Sequence, residues 1–239
     1  MIHFTGMVPA PLKLDAPAAP REGPPAELRP PPAPLHGGPV ALVRFMRSHG
    51  MLNLRYARLI AGLLRRRYLT RYGRRLRSDG LAFIAPDAVI QIGTGGRVEL
   101  GRWSWVGHGT KIRCHEGLVS IGAKTVLGQE CTISAYQHVS IGRECVIADR
   151  VMMIDFDHGA SEVERPVREQ GIYKRDVRVG HNVWIGYGAC ILRGVTVGDN
   201  AIIGTGAVVT RDVPANAVVA GVPGRVIRMR EEPKQMRWG

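Results

Sequence analysis

Long apolar runs are missing from this chain. No stretch approaches the ~20 residues that a transmembrane helix needs. The start, MIHFTGMVPAPLKLDAP, has no basic stretch followed by an apolar one, so it does not read as a secretory signal. Cysteine is scarce, with four residues (Cys114, Cys131, Cys145, Cys190) and no C-x-x-C spacing. A disulfide framework and a cysteine zinc site are therefore not expected, and reduced thiols in a cytoplasmic protein are. Aromatic residues make up 6% of the chain, which points to a core of small aliphatic side chains. Asp and Glu are absent from residues 41–78, where eleven Arg fall. The net charge of +13 therefore belongs largely to one short segment.

Four regions follow. Residues 1–40 carry eleven prolines from position 8 onward among Ala, Gly and a few charges. Such a segment buries too little apolar surface to offset its ordering entropy, so a disordered tail is expected. Residues 41–80 place Leu52, Tyr56, Leu59 and Leu63 at helical spacing beside many Arg, which predicts a basic amphipathic helical segment. It either docks its apolar face on the domain that follows or makes peripheral contact with an anionic surface such as a membrane; nucleic acid is not an expected partner. Residues 81–222 form the repeat described next, and residues 223–239 are expected to form a short C-terminal helix and tail that caps it.

Ile185, Ile191, Val197, Ile203 and Val209 stand six apart without a gap, and the fifth residue of each hexad is small or β-branched: Ala189, Val195, Ala201, Ala207, Val213. The same phrase occurs at Leu100, Val106 and Ile112, at Ile121, Leu127 and Ile133, and at Ile141, Ile147 and Met153. Neither a helix nor an alternating strand yields a period of six. A triangular coil does, with each hexad as one side and its aliphatic residue inward. The fold expected is all-β, a left-handed parallel β-helix. The Gly that often follows the aliphatic residue suits a corner needing unusual backbone angles. Cys131 and Cys145 occupy the small fifth position and are read as structural. The phase slips after Ile112 and Ile133, and most widely at residues 155–177, DFDHGASEVERPVREQGIYKRDV. A loop projecting from a corner of a rigid scaffold is a common home for function.

These hexads, the loop phrase FDHGASEVERPVREQG and the stretch NVWIGYGACILRGVTVGDNAIIGTGAVVTRDVPANAVVAGVPGRVIR resemble the hexapeptide-repeat acyltransferase superfamily, sugar and polysaccharide O-acetyltransferase type. The resemblance covers roughly residues 84–230. It implies a homotrimer with acyl-CoA as co-substrate, acetyl being the general acyl group and succinyl the alternative, and with no metal. The acceptor it implies is a sugar hydroxyl of a polysaccharide or glycolipid. His158, where the hexads break, is implied as the general base, a role that suits imidazole because both its protonation states are accessible near neutral pH. Asp155 or Asp157 would orient it, with Asp155 preferred for its place near the last regular hexad. Trp184 would lie along the pantetheine arm, and the backbone N–H of Tyr187 would face the thioester oxygen. Thr205 and Thr210 would contact pantetheine, and Arg211, Arg225 and Arg228 the phosphates, the last two sharing a helix face.

The stretch ISAYQH carries no acidic group for a free galactoside, which argues against that acceptor. Arg165, Arg168, Lys174 and Arg175 in the loop suit an anionic acceptor or a succinyl group, unless Glu162, Glu164 and Glu169 pair with them. Two competing readings are a non-catalytic scaffold for anionic surfaces and a carbonic-anhydrase-like metalloenzyme built on His108, His115 and His138.

Overall fold

The computed structural model describes Arg47 and residues 71–230. The expectations for residues 1–40, and for the basic stretch up to residue 70 apart from Arg47, lie outside the described residues.

The chain from Leu76 onward is a left-handed parallel β-helix with three parallel sheets as its faces. The first face stacks Leu76–Asp79, Arg97–Gly101, Leu118–Ile121, His138–Ile141, Val177–Val179 and Thr196–Val197. The second stacks Phe83–Ile84, Trp105–Val106, Val126–Leu127, Val146–Ile147, Trp184–Ile185, Ile202–Ile203 and Ala217–Ala220. The third stacks Val89–Ile92, Lys111–Cys114, Thr132–Ala135, Met152–Ile154, Cys190–Ile191 and Val208–Val209. Each corner is named here for the face it follows. The first strand begins inside the segment expected to be helical, because Leu76 is an inward residue in register with Val98.

The aliphatic hexad residues fall in columns. Val106, Leu127, Ile147, Ile185 and Ile203 pair coil to coil on the second face, and Ile112, Ile133, Met153, Ile191 and Val209 on the third. All of them are 0–1% exposed. Burying each such side chain contributes about 1.5–3 kcal/mol, so three columns repeated through successive coils carry much of the stability.

The corners correct one expectation. The Gly after each aliphatic residue does not adopt left-handed angles: Gly107, Gly122, Gly142, Gly180, Gly186 and Gly198 are all absent from the positive-φ set. They are required because the next coil lies against them; a Cβ on Gly186 would sit 2.6 Å from the Thr205 backbone nitrogen. The left-handed residue is two positions further on, at Lys124, Glu130, Glu144, Arg150, Asn182, Gly188, Gly194, Asn200 and Gly206. The fifth position is buried. There Thr110 and Thr125 donate to carbonyls of the next coil at 2.8 and 2.6 Å, and the Cys131 and Cys145 thiols do the same at 3.1 Å.

All the phase slips share one corner, the third. The chain takes extra residues there between Ile112 and Ile121, between Ile133 and Ile141, and between Met153 and Val179, but none between Ile191 and Val197. At the C-terminus, residues Arg225–Met229 form an antiparallel strand on Ala217–Ala220, not the expected helix, and residues 231–239 lie outside the described residues. The last coil leaves an open strand edge whose backbone groups need partners, and the β-branched Val226 and Ile227 supply them more readily as strand than as helix.

Candidate active site

The 155–177 insertion is a hairpin. Phe156–His158 pairs antiparallel with Ile172–Lys174, His158 opposite Ile172, and Gly159 N donates to Gly171 O at 3.0 Å. Its tip is stitched by Gln170, whose side chain accepts from Glu162 N at 2.9 Å and donates to the carbonyls of Glu162 and Arg165, both at 2.7 Å.

The hairpin is pinned at its root. Asp155 is fully buried, and its two carboxylate oxygens accept the backbone N–H groups of Tyr136 and Gln137 at 2.8 and 2.7 Å. Those amides belong to the same corner one coil earlier, where no sheet bond reaches them. A buried carboxylate needs such compensation, and charge-assisted bonds of this length are the strong kind. Asp155 therefore does not orient an imidazole, as the sequence led us to expect; it ties the hairpin root to the coil before. Asp157 accepts from Arg193 Nε at 2.7 Å and ties it to the coil after. Neither aspartate hydrogen-bonds the His158 imidazole, and among the described residues no group does. The imidazole is exposed, its ring meeting the Phe156 ring at 83° and 6.3 Å.

Three rings complete this root, of which the sequence singled out His115 alone, and for a metal rather than for stacking. His115 stacks on Tyr136 at 4.4 Å, and Phe156 meets Tyr136 edge-on at 4.7 Å. Lys174 sits 5.3 Å over the Tyr136 ring and pairs with Glu116 at 2.6 Å. Each ring stands at the third corner of a successive coil, a relation visible in sequence only once the slips are assigned to one corner. The loop cations are largely engaged: Arg165 with Glu162 and Arg168 with Glu169, each at 3.6 Å, and Lys174 with Glu116. Arg175 fills the space beside Gly194.

A different corner, the second, holds Tyr187 and Thr205, with Trp184 on the second face just before it, all exposed. At this corner the amide two residues past the aliphatic has no sheet partner. Two coils before Tyr187, the equivalent Gln129 N donates to Oδ1 of Asp149, its neighbour on the next coil, at 2.6 Å. Tyr187 has Thr205 where an aspartate would be, and its N–H has no hydrogen-bond partner among the described residues. The left-handed positions beside it are Gly188 and Gly206, with open space where a Cβ would be. The first corner uses Asn182, Asn200 and Asn216 at the same positions, so the angle does not demand glycine there. The two glycines leave a side-chain-free channel along the second corner.

Thr210 and Arg211 lie past the end of the third face. Arg211 and Arg225 line one small cavity with Asp212, Val219, Gly224 and Val226. Arg225 and Arg228 share a face, though not a helical one. Arg225 is opposite Ala220 and Arg228 opposite Val218, and a bulge between them restores the alternation that three-residue spacing would break. The three histidines of the metal reading do not converge. His108 pairs with Asp87 at 2.8 Å, His115 stacks on Tyr136, and among the described residues no three His, Cys, Asp or Glu are grouped to hold a metal ion.

One chain does not bring His158 and Tyr187 together. The third face separates their corners, a run of about six residues and roughly 15–20 Å at ~3.3 Å per residue.

Comparison with known proteins bears on these groupings. Residues 176–211 match the family model "Bacterial transferase hexapeptide (six repeats)", and residues 118–148 match "Hexapeptide repeat of succinyl-transferase". The chain is similar to "Probable acetyltransferase Rv3034c" of Mycobacterium tuberculosis, 32% identical over 174 residues, covering 69% of this chain and 58% of that protein. It is also similar to nodulation protein L of Rhizobium meliloti, 44% identical over 126 residues, covering 51% of this chain and 68% of that one. Thus it spans somewhat more than half the length of the first of these relatives. Among solved structures, AntD, an N-acyltransferase from Bacillus cereus in complex with dTDP and 3-hydroxybutyryl-CoA, shares the fold with a TM-score of 0.61 at 17% identity, covering 71% of this chain and 90% of that one.

Proposed function

The chain belongs to the hexapeptide-repeat acyltransferase superfamily, and from that membership we propose that it is a CoA-dependent O-acyltransferase acting on a sugar hydroxyl of a polysaccharide or glycolipid. The observation that carries this reading is His158, an exposed imidazole with no hydrogen-bond partner among the described residues, held on a hairpin pinned to the coils on both sides. A general base must reach a substrate proton from a fixed place with a ring nitrogen free to accept it.

Acyl-CoA is a substrate in this scheme. His158 takes the proton of the acceptor hydroxyl as its oxygen attacks the thioester carbonyl carbon. The Tyr187 N–H receives the charge gathering on the carbonyl oxygen. The carbon–sulfur bond breaks, and the proton held on His158 passes to the departing thiolate. No acyl-enzyme forms. Trp184 and Thr205 flank the channel over Gly188 and Gly206, where the pantetheine arm lies. Thr210 adds a hydroxyl contact, and Arg211, Arg225 and Arg228 hold the phosphates. Because base and channel stand on different corners, the site is assembled between copies, and a cyclic homotrimer gives three equivalent sites. Reaction in the cytoplasm fits acyl-CoA as donor. The Arg-rich stretch of residues 41–78 supplies attraction to an anionic membrane or polysaccharide.

The test follows thiol release from acetyl-CoA and succinyl-CoA against a panel of glycans, with wild type beside His158→Ala. Loss of a general base costs about 10²–10⁴-fold. Equal rates in the two proteins sink the mechanism.

A further inference from the structure

The channel that the glycines open at the second corner also has an end. Counting back from the C-terminus, the left-handed positions of this corner read Gly206, Gly188, Arg150, Glu130 and Gly109. The side-chain-free floor stops at Arg150, one coil before Tyr187. The register is continuous there: Ile147 pairs with Ile185 and Met152 with Cys190, which places Arg150 beside Gly188 and Asp149 beside Tyr187. The Arg150 guanidinium lies 5.8 Å over the Tyr187 ring, and Glu130 engages its Nε at 2.5 Å.

We infer that Arg150 is a specificity-determining residue at the blind end of the donor channel, selecting acyl groups that end in a carboxylate. The inference rests on the acyltransferase reading. In that reading the phosphates lie toward Arg211 and Arg225 on the C-terminal side and the thioester carbonyl lies at the Tyr187 N–H. The acyl chain must then point the other way along the corner, toward Arg150. An acetyl group ends at its methyl, short of the guanidinium. A succinyl group extends two C–C bonds beyond that methyl position, so three bonds of about 1.5 Å each separate its carboxylate carbon from the thioester carbonyl carbon, roughly 4 Å end to end, comparable with the ~4.8 Å between coils. Its carboxylate therefore arrives level with Arg150.

The donor supply at Arg150 is sufficient. A guanidinium presents five N–H groups in a planar fork. Glu130 takes one, and the Tyr187 hydroxyl can accept another. The rest are available to a carboxylate in the two-pronged geometry that such a fork matches. The guanidinium is charged whether or not a ligand is present, and the Glu130 carboxylate raises its pKa further by its hydrogen bond and charge. Nothing in the backbone demands Arg at this corner, since its φ of 58° is one that Asn adopts at the first corner. Gly at the same position would continue the channel.

The experiment measures binding of CoA, acetyl-CoA and succinyl-CoA to the full chain by titration calorimetry, so no acceptor is needed. We expect succinyl-CoA to bind about tenfold more tightly than acetyl-CoA, the scale of a hydrogen bond to a charged group. Arg150→Asn, which suits the left-handed angle, is expected to bring the ratio to about one with CoA affinity unchanged. Glu130→Gln, which removes the competing carboxylate, is expected to keep or widen the ratio. A wild-type ratio near one, or a preference that survives Arg150→Asn, overturns the inference while leaving the acyltransferase reading intact. Failure of all three ligands to bind overturns both.

Discussion

Replacing Gly206 with Asn separates the channel from the fold. Gly206 sits at a φ of 69°, and Asn182, Asn200 and Asn216 occupy equivalent corner positions at 53°, 59° and 62°. The backbone therefore accepts Asn, and no atom lies within 4 Å of the new Cβ. The folding penalty stays within about 0.5 kcal/mol, as for other unstrained surface changes, or about 1–2 °C in Tm for a domain of this size. The added side chain projects into the channel where the pantetheine arm would lie. If it displaces some 80 Å² of apolar ligand surface, at about 25 cal/mol per Å² the loss is roughly 2 kcal/mol, or about thirtyfold in affinity. Calorimetric titration with CoA reads this directly, beside a thermal melt that checks the fold. Gly188→Asn should behave alike. Asn200→Gly, at the first corner, should leave CoA affinity unchanged. A folded Gly206→Asn protein that binds CoA within twofold of wild type would refute the placement of the donor over these glycines.

Asp155→Asn should lower stability by about 1–3 kcal/mol, because its amide NH₂ would face a backbone N–H that now donates to a carboxylate oxygen; a melt near wild type would restore the alternative that Asp155 acts chiefly on His158. The thiols should differ in reactivity. Burial pushes Cys114, Cys131, Cys145 and Cys190 up in pKa, and Cys190 is the least buried of them. A disulfide exchange reagent at neutral pH should label Cys190 first and the other three only on unfolding, since the thiolate is the reactive form; rapid labelling of all four would contradict the buried fifth position.

The hairpin root shows how a repeat fold carries chemistry without giving up its register. Insertions accumulate at one corner, so the two other corners keep their stacking uninterrupted. The ring series His115, Tyr136 and Phe156 and the bonds of Asp155 and Asp157 then make the insertion part of the scaffold. An exposed hairpin held this way loses less freedom when substrate binds than a free loop would, which favours a base of fixed position.

Much of the fold was legible in the sequence because a period of six is a local property. Ile185, Ile191 and Val197 announce three inward positions with no knowledge of what lies above or below them, and the break after Met153 marks where the chain leaves the scaffold. The same locality explains what could not be read. Asp155 looks like a partner for His158 three residues away, but its oxygens reach amides 18 and 19 positions earlier. The Gly after each aliphatic residue looks like a conformational requirement, and only the coil stacked against it reveals a steric one. Arg225 and Arg228 share a face through a bulge set by the strand beside them. The glycine channel, the Tyr187 amide (unpartnered among the described residues) and Arg150 at the channel's end belong to positions on successive coils. Sequence fixed the interval between inward residues. Tertiary structure decided which residues from different coils stand next to one another, because coil stacking joins positions 16 to 38 residues apart that no local pattern connects.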